Sequence, residues 1–216
     1  MKKSLSLLGS LLLATLATAA EFTVANADAL NETLARVKPG DIVVLADGTW
    51  TNAVITLSAA GSAGSPVSVR AQTPGKVVFT GTSSLTLAAP HVHVSGIVFK
   101  GGALKNGGSL ITFKSDDCVM TDTAVIDYNP ADVATGYYWV FFQGNRNRIE
   151  RCYFSGKSHQ QPVIGNGIRD SRYNAVAYSY FKDIPYVAGR NGREIFRIWG
   201  WGGNEEMGED GAFFTV

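Results

Sequence analysis

The sequence has almost no net charge. Lys and Arg total 19 against 18 Asp and Glu, and charged residues make up only 17% of the chain. Without a global field of either sign, nothing draws the protein to nucleic acid or to a membrane surface. Cysteine is scarce as well: Cys118 and Cys152 allow at most one disulfide. Long apolar runs are missing, since Leu5–Leu16 falls short of the roughly 20 residues that a membrane span needs. That short run follows Met1-Lys2-Lys3 and precedes the small residues Ala17-Thr18-Ala19, the three-part layout of a secretory signal peptide. Residues 1–19 are therefore read as a signal peptide, with a short membrane anchor as the competing reading. The mature protein is expected to begin near Ala20 or Glu21, to be secreted or periplasmic, and to form one domain over 20–216.

What the sequence does have is glycine, 24 residues of it, among many Val, Ser and Thr, the composition of an all-β chain with tight turns. Four segments align without gaps, starting at Val92, Cys118, Asn147 and Asn174. Their third positions, Val94, Met120, Ile149 and Val176, are 26, 29 and 27 residues apart, and their eighth, Phe99, Val125, Phe154 and Phe181, keep the same separations. A near-constant period of this size with short β-rich pieces predicts a parallel β-solenoid, in which equivalent positions stack coil on coil. A β-sandwich with chance recurrence is the alternative. Asn147 and Asn174 share a position, where stacked amides would hydrogen-bond along the axis.

The alignment puts Cys118 at the first position of its coil and Cys152 at the sixth of the next. Along one straight strand that offset is about 16 Å, beyond the roughly 7 Å between Cα atoms that a disulfide tolerates, so two free thiols are expected unless the coil bends sharply between them. Near the N-terminus, Leu30, Leu34 and Val37 recur at helical spacing within Asp28–Val37, with Asn26 or Asp28 as N-cap. A short amphipathic helix there caps the open end of the solenoid. A strand over 41–48 follows, and Pro66–Ala71 and Lys76–Thr80 supply the first coils.

Pro39-Gly40-Asp41, Asp47-Gly48-Thr49-Trp50, Arg151-Cys-Tyr-Phe-Ser-Gly-Lys157 and Asn191-Gly-Arg-Glu-Ile-Phe-Arg-Ile198 together resemble polysaccharide lyase family 6, which includes alginate lyases and chondroitinase B. The resemblance covers the whole mature chain in order. It implies a right-handed parallel β-helix and β-elimination on a uronate-containing polysaccharide, alginate or dermatan/chondroitin sulfate. Such a reaction needs a cation on the sugar carboxylate, a base for the α-proton and an acid for the glycosidic oxygen. In the family these are a calcium ion held by an asparagine and two glutamates, a lysine and an arginine. They follow the Asn-Gly-x-Glu-x-x-Arg segment in later coils, and no acid-x-acid pair followed by a lysine occurs after it here. The chain ends in the apolar run Ala212-Phe-Phe-Thr-Val216, so the expectation is a truncated member whose calcium ligands and catalytic residues are absent.

Four residues are the candidate contacts to an acidic polysaccharide. Strand alternation puts Arg197 and Trp199 on the outward face if Phe196 and Ile198 face the core. A guanidinium fork and a flat indole suit a uronate, and the family uses the matching arginine to bind substrate. Lys157 and His159 fall in the loop that, in the family, lines the cleft. Glu194 falls on the apolar face and is read as a buried support. Arg190 and Arg193 add positive potential, and the Glu205–Asp210 run reads as a solvated acidic turn that lacks the alternating spacing of calcium loops. His91 and His93 lack a third metal ligand and read as exposed strand histidines. Tyr137-Tyr138-Trp139 stack on sugars or fill the core. Besides a lyase working as a monomer, two readings stay open: a uronan-binding solenoid without catalysis, and an adhesin-like structural one.

Overall fold

The computed structural model describes residues 18–167, 171–185 and 194–198. Residues 1–17, Arg190, Arg193, Trp199, the Glu205–Asp210 run and the C-terminal apolar run lie outside these. The chain winds as a parallel β-helix with three sheets. The first stacks Glu21–Val24, Ile42–Leu45, Val67–Ala71, Val92–Ser95, Val119–Thr121, Arg148–Glu150 and Ala175–Ala177. The second stacks Gly48–Thr51, Val77–Gly81, Ile97–Gly102, Ala124–Ile126, Tyr153–Ser155 and Tyr180–Lys182. The third stacks Val54–Leu57, Ser84–Leu87, Ser109–Phe113, Tyr138–Phe142, Ile164–Asn166 and Phe196–Ile198.

Inward side chains repeat from coil to coil because each strand is in register with its neighbours. The first sheet lines up Val43, Val69, Val94, Met120, Ile149 and Val176. The second lines up Trp50, Phe79, Phe99, Val125, Phe154 and Phe181. These are the third and eighth positions of the sequence repeat, so the predicted alignment is the observed pairing. Phe79 stacks on Phe99 with centroids 5.1 Å apart, and Phe154 on Phe181 at the same 5.1 Å. A fully buried ring contributes about 1.5–3 kcal/mol from area alone, so the stack is a principal source of stability.

The two positions lie on different sheets because the chain turns at the fifth. Gly96, Asp122, Arg151 and Tyr178 occupy that corner, all with positive φ. A second corner, just before the first position, holds His91, Asp117, Arg146 and Tyr173, again all left-handed. Outside glycine, asparagine and aspartate this backbone is uncommon and costs energy. At both corners an arginine is clamped to the aspartate one coil above, which offsets part of that cost. Arg146 holds both oxygens of Asp117 at 2.7 and 2.8 Å, and Arg151 holds those of Asp122 at 2.9 Å each.

Cys118 and Cys152 are free and buried, as expected. The straight-strand premise is corrected, since Arg151 bends the chain between Arg148–Glu150 and Tyr153–Ser155. Each thiol instead points at a carbonyl, Cys118 at Ala89 (3.2 Å) and Cys152 at Glu150 (3.3 Å). The amide stack has a different form from stacked side chains. Asn174 Oδ1 accepts from the backbone N–H of Asn147, and Asn147 Oδ1 from that of Cys118, both at 2.9 Å. The helix spans Ala27–Leu34, N-capped by the Asn26 side chain, and buries Leu30 and Leu34, while Val37 packs beyond its end.

Candidate functional site

The outer face of the third sheet is where the functional candidates meet. Val140, Phe142, Ile164 and Asn166 face inward, all 0–2% exposed, and alternation puts Phe141 and Gly165 on the outer side; Trp139 and Val140 are buried in succession, so the alternation breaks there and Tyr138 shares the outer side with Phe141. Tyr138 thus separates from its neighbours, for Tyr137 and Trp139 are buried and both donate to the Tyr128 carbonyl, at 2.7 and 3.0 Å. Of the two expectations for this triplet, core filling is met by Tyr137 and Trp139, while Tyr138 is half-buried on the outer side.

Gly165 is paired with Phe141 on one side and Arg197 on the other. A Cβ at Gly165 would sit 2.6 Å from the Tyr138 ring and 2.7 Å from that of Phe141, so only glycine lets both rings lie over the strand. The rings are 4.8 Å apart at 44°. With Gly108, Ser109, Gly136, Gln143 and Gln161 they line an open depression of about 240 Å3. Gln161 Oε1 is itself buried and, among the described residues, makes no hydrogen bond.

Arg197 lies one strand further along this outer column, its side chain 18% exposed and ion-paired with Glu194. Phe196 faces the core and meets the Phe181 ring edge-on at 5.5 Å. The outward placement of Arg197 agrees with the alternation argument, but Glu194 does not become a buried support: its side chain is 44% exposed. Glu194 precedes the strand, so strand alternation does not govern it. Trp199 lies outside the described residues.

Lys157 and His159 are placed differently from the expectation that they face a cleft. Both are 1% exposed. Lys157 Nζ donates to the carbonyls of His159 (3.0 Å) and Gln160 (3.1 Å), turning the charged end back into its own loop. His159 Nδ1 sits 2.9 Å from Asn129 Oδ1, Nε2 sits 3.2 Å from the Tyr137 carbonyl, and the ring packs on that of Tyr137 with centroids 4.0 Å apart. Asn129 also accepts from Ser158 N and donates to the Gly156 carbonyl. The pair braces the loop that carries Gln161 and leads into Ile164–Asn166, so it acts on the groove from behind. No sequence pattern distinguished a loop folded inward from one folded outward.

His93 lies on the outer face of the first sheet in a separate shallow depression with Ser68, Arg70, Ser95 and Thr121, and its partial burial lowers its pKa. Among the described residues no three His, Cys, Asp or Glu side chains gather closely enough to hold a metal ion. The Glu194 carboxylate, three residues before Arg197, is taken by its guanidinium. The described groove therefore does not fit a calcium ion, and no chemistry is assigned to one here.

Stacked coils with inward aromatics define a parallel β-helix, one outer face of which bears a glycine-floored aromatic depression beside an arginine. The chain belongs to the chondroitinase B family: the family model described as Chondroitinase B matches residues 24–200. It is similar to a PL6 family polysaccharide lyase from Pseudopedobacter saltans, with 47% identity and a TM-score of 0.85 over 89% of this chain and 44% of that one. The PL6 family alginate lyase AlyGC is 30% identical, with a TM-score of 0.78 over 83% of this chain and 26% of that one. A mannuronic acid specific family 6 lyase from human gut microbiota is 27% identical, with a TM-score of 0.76 over 83% of this chain and 44% of that one. The chain thus spans less than half the length of these structures. The comparison with curated proteins found no match. Among the described residues no helix is long and apolar enough to cross a membrane.

Proposed function

We propose that the chain is part of a secreted lyase that cleaves a uronate-containing polysaccharide by β-elimination, and that the outer face of its third sheet is where the polysaccharide lies. The observation that carries this reading is the meeting of Arg197 with the Tyr138–Phe141 rings across Gly165. A sugar ring packs its apolar face on the aromatics, and the uronate carboxylate displaces Glu194 from the Arg197 guanidinium. Alginate is the favoured substrate, because two of the relatives above act on alginate or mannuronic acid by their descriptions. Dermatan sulfate is the alternative.

A second reading is favoured by one feature of the groove. Its described lining contains no carboxylate, histidine or lysine to serve as base, and Tyr138 is its one titratable side chain; on this reading the chain by itself binds uronan without cleaving it. Mixing the protein with alginate or dermatan sulfate and following absorbance of the unsaturated product separates the two. A rise in absorbance supports the lyase, and binding without a rise supports the binder. Neither binding nor a rise removes both.

A further inference from the structure

Pairing of the first sheet begins at Ala20, whose carbonyl accepts from Ile42 N at 2.8 Å, and Glu21–Val24 then runs alongside Ile42–Leu45. The Ala20 N–H points the other way, into the side chain of Asp41, with Oδ1 at 2.9 Å. Oδ2 of the same carboxylate accepts from Lys38 N at 2.8 Å. Asp41 is only 7% exposed, and its pKa is lowered, chiefly by the hydrogen bonds from Ala20 and Lys38. Among the described residues no ammonium or guanidinium makes an ion pair with it. Lys38 and Arg36 line the adjoining depression, and only the Lys38 charge is felt at Asp41. The carboxylate is thus held by two neutral amides, with the Lys38 charge acting on it only without an ion pair. Thr18 and Ala19, by contrast, are exposed. They end the small-residue stretch Ala17-Thr18-Ala19 that precedes Ala20.

We infer that the peptide bond between Ala19 and Ala20 is a processing site, and that cutting it supplies Asp41 with its missing partner. A leader peptidase that accepts small side chains on the acyl side adds water across the bond. Ala19 departs as a carboxylate, and the Ala20 nitrogen takes up a proton to become an α-ammonium. That nitrogen is already at hydrogen-bond distance from Asp41, so cleavage turns a neutral contact into a charge-assisted one without moving the chain. The first strand is then pinned at its end by an ion pair that the unprocessed chain cannot form. This inference does not depend on the groove or on any activity.

The test exports the full-length reading frame with its leader, identifies the first residue of the product, and follows acylation of the α-amine by mass spectrometry of the N-terminal peptide. The expected product begins at Ala20. In the folded protein its amine reacts at least about tenfold more slowly than in urea, as an opposite charge at contact shifts an amine by about one unit or more. Asp41→Asn is expected to lose that protection while still beginning at Ala20. Should Asp41→Asn not fold, the native-against-urea ratio of the unsubstituted protein decides alone. A product that begins elsewhere or keeps its leader overturns the inference, as does an amine that reacts equally fast folded and unfolded.

Discussion

Removal of the Asn174 side chain is the sharpest test of the interior. In Asn174→Ala the backbone N–H of Asn147 loses its acceptor, Asn174 Oδ1 at 2.9 Å, and stays buried. Asn174 Nδ2 also leaves the Gly144 carbonyl (3.0 Å), Asn166 Oδ1 (2.9 Å) and Ser171 Oγ (2.9 Å). Those three acceptors are partly compensated, because the single Ser171 hydroxyl proton still serves Gly144 O or Asn166 Oδ1. An orphaned buried donor costs about 1–3 kcal/mol and each net hydrogen bond about 1, so a loss of about 2–4 kcal/mol is expected. Asn147→Ala is the internal control. It orphans the Cys118 N–H but also removes Asn147 Nδ2, which is buried with no partner, so the two effects largely cancel. Urea unfolding of the three proteins should place Asn174→Ala below Asn147→Ala by about 2 kcal/mol with unchanged slope. Equal losses, or the reverse order, would refute the reasoning that satisfaction of the asparagine ladder, rather than its mere presence, holds the coils together.

Three further outcomes follow from the same geometry. Burial pushes the Cys118 thiol up to about 11 and the Cys152 thiol to about 12 from an ordinary 9.0; at pH 8 alkylation of the folded protein should be slower than of the unfolded by about a hundredfold or more, and intact mass should show two added groups only after urea. Lys157→Met should destabilise the protein by about 2–4 kcal/mol by orphaning the carbonyls of His159 and Gln160, and circular dichroism on heating reads it; unchanged stability would mean that the loop does not depend on this brace. The Arg146 guanidinium holds the Asp117 carboxyl below its ordinary 3.8. A depressed folded pKa gives stability that is present above the ordinary value and lost as pH falls through the folded one. Arg146→Ala should therefore raise the midpoint of acid unfolding below pH 4, with under about 1 kcal/mol lost at pH 7 because the pair is partly exposed.

Much of the fold was legible because a solenoid writes its contacts at a fixed period. Val94, Met120, Ile149 and Val176 must each cover the residue one coil away, so stacking leaves the same residue class at the same spacing. The corners were not legible. Arg151 and Tyr178 take a backbone that glycine, asparagine and aspartate ordinarily signal, and nothing in a single sequence marks an arginine or a tyrosine as left-handed. That one omission made two strands and a bend look like one straight strand. On the groove, Arg197 was found because alternation along a strand is a local rule. Lys157 and His159 were placed outward because charge usually is, whereas here two carbonyls and Asn129 satisfy the polar atoms and allow burial. Gly165 gave no signal, since its role depends on rings contributed by the coil above.

The central claim, that the third-sheet face binds uronan through Arg197, is tested most directly by calorimetric titration of an alginate oligosaccharide into the protein and into Arg197→Ala. A hydrogen bond to a charged group contributes about 1.5–3 kcal/mol, so the variant should bind roughly ten- to a hundredfold more weakly, with its unfolding transition close to that of the parent. Equal affinity for the two proteins would contradict the account.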